Sequence, residues 1–208
     1  MRRSGLWFPI LAVLWIGLIG CGGDSQAPQT SSSSSPEAQL LEIPTVGGKS
    51  GTIRGGSLVW DVPTGWTERT PSSNMRLAQY TVPGSGGDGE CAVFYFGPGQ
   101  GGDPLANAQR WAGQFSQPDA SSSLDKMAMR ELDAAALGLT LVEVTGIYNG
   151  GMTMGPTAPT PKPGWMLLGG IAAGPDAPWF FKLTGPQATL EENKDAFVGM
   201  LRSIRQEI

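Results

Sequence analysis

The stretch Trp165-Met166-Leu167-Leu168-Gly169-Gly170-Ile171-Ala172-Ala173, Gly174-Pro175-Asp176-Ala177, then Trp179-Phe180-Phe181-Lys182-Leu183 decides how the chain is read. Two apolar runs of strand length flank a four-residue connection. Its Pro and Asp stand where a type I turn wants them. The reading is an antiparallel hairpin, and the rest of the chain is consistent with a sheet built on it.

Upstream, Leu139 to Tyr148 and Lys126 to Leu132 read as two further strands. A Gly/Pro/Thr loop from Asn149 to Gly164, carrying Met152 and Met154, joins the first of these to the hairpin. Earlier still, Leu58 to Val62, Met75 to Val82 and Glu90 to Phe96 read as strands, the last two joined by the glycine-rich loop Pro83 to Gly89.

Two helices are expected. Asp103-Pro104 opens the first, with Asp as N-cap and Pro in the first turn, and Leu105, Ala108, Trp111, Ala112 and Phe115 as its apolar stripe. The second runs from Leu190 to Ile204, with Thr189 and Glu192 as a capping box and Leu190, Phe197, Leu201 and Ile204 on one face. Glu191 and Lys194 fall on its outer side. Hairpins dominate this order, so the expected class is α+β, an antiparallel β-sheet packed by helices over residues 57–208.

The N-terminal end reads differently. Met1-Arg2-Arg3 places two cations before an uncharged run, Leu6 to Ile19, too short for a comfortable membrane span. The run ends Leu18-Ile19-Gly20-Cys21, and this resembles the lipobox of bacterial lipoproteins. The resemblance implies a signal peptide over 1–20, diacylglyceryl addition and palmitate-type acylation at Cys21, cleavage before it, and anchoring to a membrane outside the cytoplasm. Gly22 after Cys21 favours the outer membrane if lipoproteins are sorted as in enteric bacteria. Residues 21–45, with the block Ser31 to Ser35 and Pro36, cannot bury apolar surface and are expected to form a disordered linker. Val46 to Gly56, still glycine-rich, lies between linker and domain.

Composition narrows the chemistry. Net charge is −4, and loss of Arg2 and Arg3 would make it two units more negative. The remaining cations are scattered, which suits neither nucleic acid nor electrostatic membrane binding. Histidine is absent, which removes Ser-His-Asp and Cys-His catalysis and His-containing zinc sites. If Cys21 is lipidated, Cys91 is left without an intrachain partner and reads as a small buried hydrophobe. No cofactor or metal is expected.

Three motifs need weighing. Gly97-x-Gly99-x-x-Gly102 lies after a strand and before a helix, as a dinucleotide fingerprint does. Against nucleotide binding, Asp103 places a carboxylate where the pyrophosphate would sit, and no βαβ unit follows. Glu131, Asp133 and Glu143 lie on or beside neighbouring strands and are the carboxylates a general acid/base pair would use. Of the tryptophans after Cys21, Trp60, Trp111 and Trp179 read as core. Trp66 and Trp165 are expected to be partly exposed, near the loops 97–102 and 149–164, as a possible binding surface for a protein or a glycan.

The domain also resembles the PsbP/Mog1-like fold, an α/β/α sandwich. The carrying features are the early strand followed by Pro63-x-Gly65-Trp66, the helix with Trp111, the hairpin, and the closing Phe197-x-x-Met200-Leu201-x-Ser203-Ile204. Pro163-Gly164-Trp165 through Phe180 to Pro186 is similar to uncharacterised lipoproteins of environmental bacteria. The resemblance implies a binding or assembly role with an envelope protein or a peptidoglycan component as partner. The alternative is a histidine-free, carboxylate-based hydrolase of an envelope glycan.

Overall fold

In a computed structural model of the chain the described residues are 58–133, 137–151 and 159–207. The signal peptide expected over 1–20, Cys21, the linker expected over 21–45, and Met152 and Met154 all lie outside them. The described residues fall in one compact unit, Thr45–Ile208.

The strands are β1 (Leu58–Val59), β2 (Thr67–Arg69), β3 (Ala78–Val82), β4 (Gly89–Phe94), β5 (Phe115–Ser116), β6 (Ala128–Leu132), β7 (Leu139–Tyr148), β8 (Lys162–Ala173), β9 (Pro178–Pro186) and β10 (Arg205–Gln206). The helices are α1 (Pro104–Ala112), α2 (Ser123–Lys126) and α3 (Gln187–Arg202). The hairpin is the long β8–β9 pair, in register from Trp165↔Pro186 to Ala173↔Pro178. Around it the main sheet runs β2-β3-β4-β9-β8-β7, with β5 and β6 both pairing β7. Every pairing in it is antiparallel. The protein is thus an α+β domain with a mostly antiparallel sheet and a few helices.

Strand alternation divides the core into two layers. Leu139, Leu141, Leu168, Phe181 and Leu183 point to the side covered by α3, where Leu190, Phe197 and Leu201 complete the larger cluster. Val142, Val144, Leu167, Ile171 and Phe180 point to the other side, against Ala108 and Trp111 of α1. Gly169 and Gly170 are consecutive on β8 and face opposite layers. A Cβ on Gly169 would stand 2.4 Å from the Trp111 ring, and one on Gly170 2.3 Å from Leu201. Missing side chains at two neighbouring positions let both helices approach the same strand.

Asp103 caps α1 as expected, its carboxylate accepting from the Ala106 amide. Leu105, however, is 49% exposed and outside the buried face of α1, which is formed by Asn107, Ala108, Trp111 and Ala112. The capping box on α3 is replaced by another arrangement. The helix begins at Gln187, and Pro186 occupies the N-cap position. Thr189 is fully buried; its hydroxyl donates to the Gly87 carbonyl (2.6 Å) and accepts from the Gly86 amide (3.2 Å). Glu192 accepts from the amide and the hydroxyl of Ser85, which holds its carboxyl below the usual range. Both side chains therefore clamp the β3–β4 loop onto the helix. A Cβ on Gly84 would meet Thr189 at 2.5 Å, so glycine is what permits the close seat.

Candidate functional site

The α1 side of the sheet is only partly covered. Nine residues of helix span roughly 14 Å, whereas the strands from β3 to β7, about 4.8 Å apart, spread over roughly 20 Å. Two cross-sheet rows show how the sequence allows for this. One reads Gln79, Ala92, Lys182, Gly169, Val142; the next reads Thr81, Glu90, Thr184, Leu167, Val144. Each is apolar toward β7 and β8, under α1, and, Ala92 apart, polar from β9 to β3, where no helix lies over it among the described residues.

The polar half is tied together. Arg76 pairs with Glu90 at 2.7 Å, and Gln79 donates to the other Glu90 oxygen at 2.9 Å. Lys182 donates to Gln114 Oε1 at 2.6 Å and lies 5.8 Å from the centre of the Tyr148 ring. Burial, and then the Arg76 guanidinium, disfavour the Lys182 ammonium; Arg110 adds to this and Glu90 partly offsets it, leaving a pKa of about 8.

An aromatic wall closes one side. A register shift between Gly146 and Tyr148 brings the Tyr148 ring parallel to Trp165, 5.4 Å away and 3° from coplanar orientation. Lys162 places its ammonium 4.1 Å over the Trp165 ring. Outward from this wall come Thr184, then Glu90, then Thr81, with Asp88 just before β4, around a depression of about 330 Å³. A larger hollow of about 530 Å³ lies at the far end of the sheet between Gly102, Glu131 and the β8–β9 turn. Turn and apolar residues dominate its lining, and Asp176 there is already bonded by the Tyr95 hydroxyl. The polar-aromatic depression is the better-equipped site.

The sequence candidates fare unevenly. Trp165 is half-buried in the wall of the depression. Trp66 is a correction: it is 8% exposed and lies on the α3 side of the sheet, stacked on Phe197 at 6.5 Å. Its indole N–H donates to Asn193, 127 positions along the chain (2.9 Å), so it cannot share a surface with Trp165. Glu143 pairs with Lys194 at 2.6 Å and with Arg130 at 3.7 Å. Glu131 pairs in register with Thr140, and Glu143 with Ala128, so alternation sends these two carboxylates to opposite faces. They cannot flank one scissile bond; Asp133 is exposed just beyond β6. In the glycine-rich loop, Gly97, Gly99, Gly101 and Gly102 all have positive φ. A Cβ on Gly101 would come within 3.0 Å of Phe180, so this run packs a tight turn on the sheet. Cys91 is fully buried, and burial pushes its thiol pKa up. Among the described residues no group of three His, Cys, Asp or Glu is placed to hold a metal.

Tyr148, Lys162, Asp88, Glu90, Thr81, Thr184 and Lys182 were not singled out from the sequence. The one visible signal was Lys182, a lone cation inside the apolar run Phe180-Phe181-Lys182-Leu183.

Lys182 gives a pH prediction. Its folded pKa of about 8 lies below the usual 10.5. Between those values the unfolded chain binds the extra proton, so stability rises with pH. Above about pH 9 the burial-raised Cys91 and Tyr80 oppose this, since the unfolded chain then loses protons that the folded state keeps. Urea midpoints should therefore climb from pH 7 to about pH 9, on the order of 1 kcal/mol in stability, and then fall. Lys182→Met should abolish the climb. A climb of equal size in that variant would assign it elsewhere.

No family model matches this chain, and no curated protein does. Among solved structures, the crystal structure of a Pseudomonas aeruginosa protein of unknown function is similar over 72% of this chain and 92% of that one. The TM-score is 0.39 and the identity 14%, a likeness that fixes neither fold family nor role.

Proposed function

We propose that the chain is a lipid-anchored lipoprotein of the bacterial envelope, and that its PsbP/Mog1-like domain is a non-catalytic binding module. The binding face is the uncovered half of the sheet, around Trp165. One observation carries this reading. A polar, aromatic-walled depression sits on a sheet face whose other half is closed by α1. Concave sites with a few convergent polar groups are where ligands are held. The helices on opposite sides of the sheet support the sandwich, and Leu18-Ile19-Gly20-Cys21 supports the anchor. The module would then work outside the cytoplasm, at the end of a Ser/Gly/Pro tether reaching roughly 25 Å from the bilayer.

The anchor is tested by Cys21→Ser, which removes the only thiol the modification can use. Detergent phase partitioning should move the protein from the detergent to the aqueous phase. Partitioning like the wild type would place the anchor elsewhere. The binding face is tested separately by Thr81→Arg, which fills the depression from a half-buried position. Retention of the protein by its own cell-envelope fraction should fall about tenfold, equivalent to about 1.4 kcal/mol. Unchanged retention would take the binding role away from this face.

A further inference from the structure

The groups around the depression specify a kind of ligand, and this inference rests on the binding face just proposed. Four of them, Asp88, Glu90, Thr81 and Thr184, offer oxygens that accept hydrogen bonds, and the threonines can also donate. A fifth, Trp165, offers an aromatic face. The sixth, Lys162, is an exposed cation resting on that face.

We propose that the depression is a saccharide subsite, in which a sugar ring stacks by its C–H face on Trp165 and its hydroxyls bond to Asp88, Glu90, Thr81 and Thr184. Three observations support this over other occupants. A volume of about 330 Å³ is at the small end of ligand sites, enough for a sugar unit or two and too small for a helix. The depression lies on a sheet face, not at an edge, so an extended peptide finds no ladder of backbone groups to join. Two carboxylates and two threonines line it, a density of acceptors that suits a ligand rich in hydroxyls.

The Lys162 ammonium marks where the ring goes. An aromatic face attracts positive charge, whether a full cation or the weakly positive C–H groups of a sugar. Lys162 sits at the exposed start of β8 on a long, flexible side chain, so a ring can displace it without moving the backbone. Displaced, it remains close enough to pair with a carboxylate on an acidic sugar. Glu90 is the fixed acceptor, since Arg76 and Gln79 each hold one of its oxygens. Asp88, on the exposed loop before β4, is the adjustable one. Tyr148, stacked parallel to Trp165 and itself lining the depression, fixes the indole plane.

The test is titration of the full chain in detergent micelles with three soluble probes: an N-acetylglucosamine tetramer, a cellotetraose and a tetragalacturonate. Binding is read by calorimetry and by the Trp165 indole N–H resonance. At least one probe should shift that resonance, and Trp165→Ala and Asp88→Asn should each weaken its binding about tenfold or more. Asp88→Asn changes an exposed loop position, so it keeps the test valid if loss of the indole disturbs the wall. Lys162→Ala should weaken the uronate about tenfold and leave the neutral probes within about twofold. The proposal is overturned if none of the three binds at 10 mM, or if binding survives both Trp165→Ala and Asp88→Asn. In the first case, envelope retention still lost in Thr81→Arg would show that the binding face stands and only its ligand class is wrong.

Discussion

Phe197→Ala is expected to cost about 3–5 kcal/mol of stability. The ring is fully buried on the α3 side, in the cluster formed by Leu190, Leu201, Phe181 and Leu183, and it carries the stacked Trp66. Its removal leaves a cavity bounded by the sheet, which cannot collapse to fill it. For a domain holding about 5–15 kcal/mol in all, the loss is severe. Glu191→Ala, at an exposed site whose carboxylate accepts from Gln187, should stay within about 0.5 kcal/mol. Lys194 falls between the two. The sequence pattern places it on the outer side, but its ammonium answers the half-buried Glu143, and alanine there should cost about 1 kcal/mol. Urea midpoints of the three variants check the order. Near-zero change for Phe197→Ala would remove α3 from the core.

A second large effect is expected at Gly169. Valine favours strands, so propensity alone predicts a gain at this central β8 position. The structure predicts a loss of about 1–3 kcal/mol or more, because the new Cβ would overlap the Trp111 ring and neither the sheet nor the rigid indole can yield cheaply. α1 would have to lift from the sheet. The cost should therefore shrink when Gly169→Val is made together with Trp111→Leu, by a coupling of about 1 kcal/mol or more. Strict additivity would mean that the helix does not bear on the glycine. Gly199 makes the contrast. It lies on the exposed side of α3 with nothing near its missing Cβ, and alanine there should stabilise by about 0.5–1 kcal/mol.

What could be read in the sequence was whatever local pattern determines. The β8–β9 hairpin, both ends of β7, and the Asp103 cap of α1 follow from apolar runs, turn residues and capping chemistry within a few positions of one another. β2 escaped because all three of its residues are exposed and it pairs only at the sheet's edge. Trp66 was misplaced because a Pro-Gly turn suggests the surface, and nothing nearby announces Asn193. Thr189 and Glu192 have the spacing of a local cap, yet they answer a loop about a hundred positions earlier. The depression was hardest to foresee. Its lining comes from β3, β4, β7, β8 and β9, and is brought together by register and by one shift at Gly146/Tyr148.

The sheet order also says when this domain can exist. The strand lying between β4 and β8 is β9, the last long strand to be synthesised, and the helix covering the larger core layer follows it. Until Pro178–Pro186 is available, β4 and β8 have no partner on their inner edges, and Phe197 and Leu201 do not yet exist to bury Leu168. A nascent chain of this sequence thus stays open through most of its synthesis and closes late, through contacts distant in sequence, which makes for slow folding. An open, late-closing chain can still be threaded through a narrow channel. It must meanwhile be kept from pairing its bare strands with those of its neighbours.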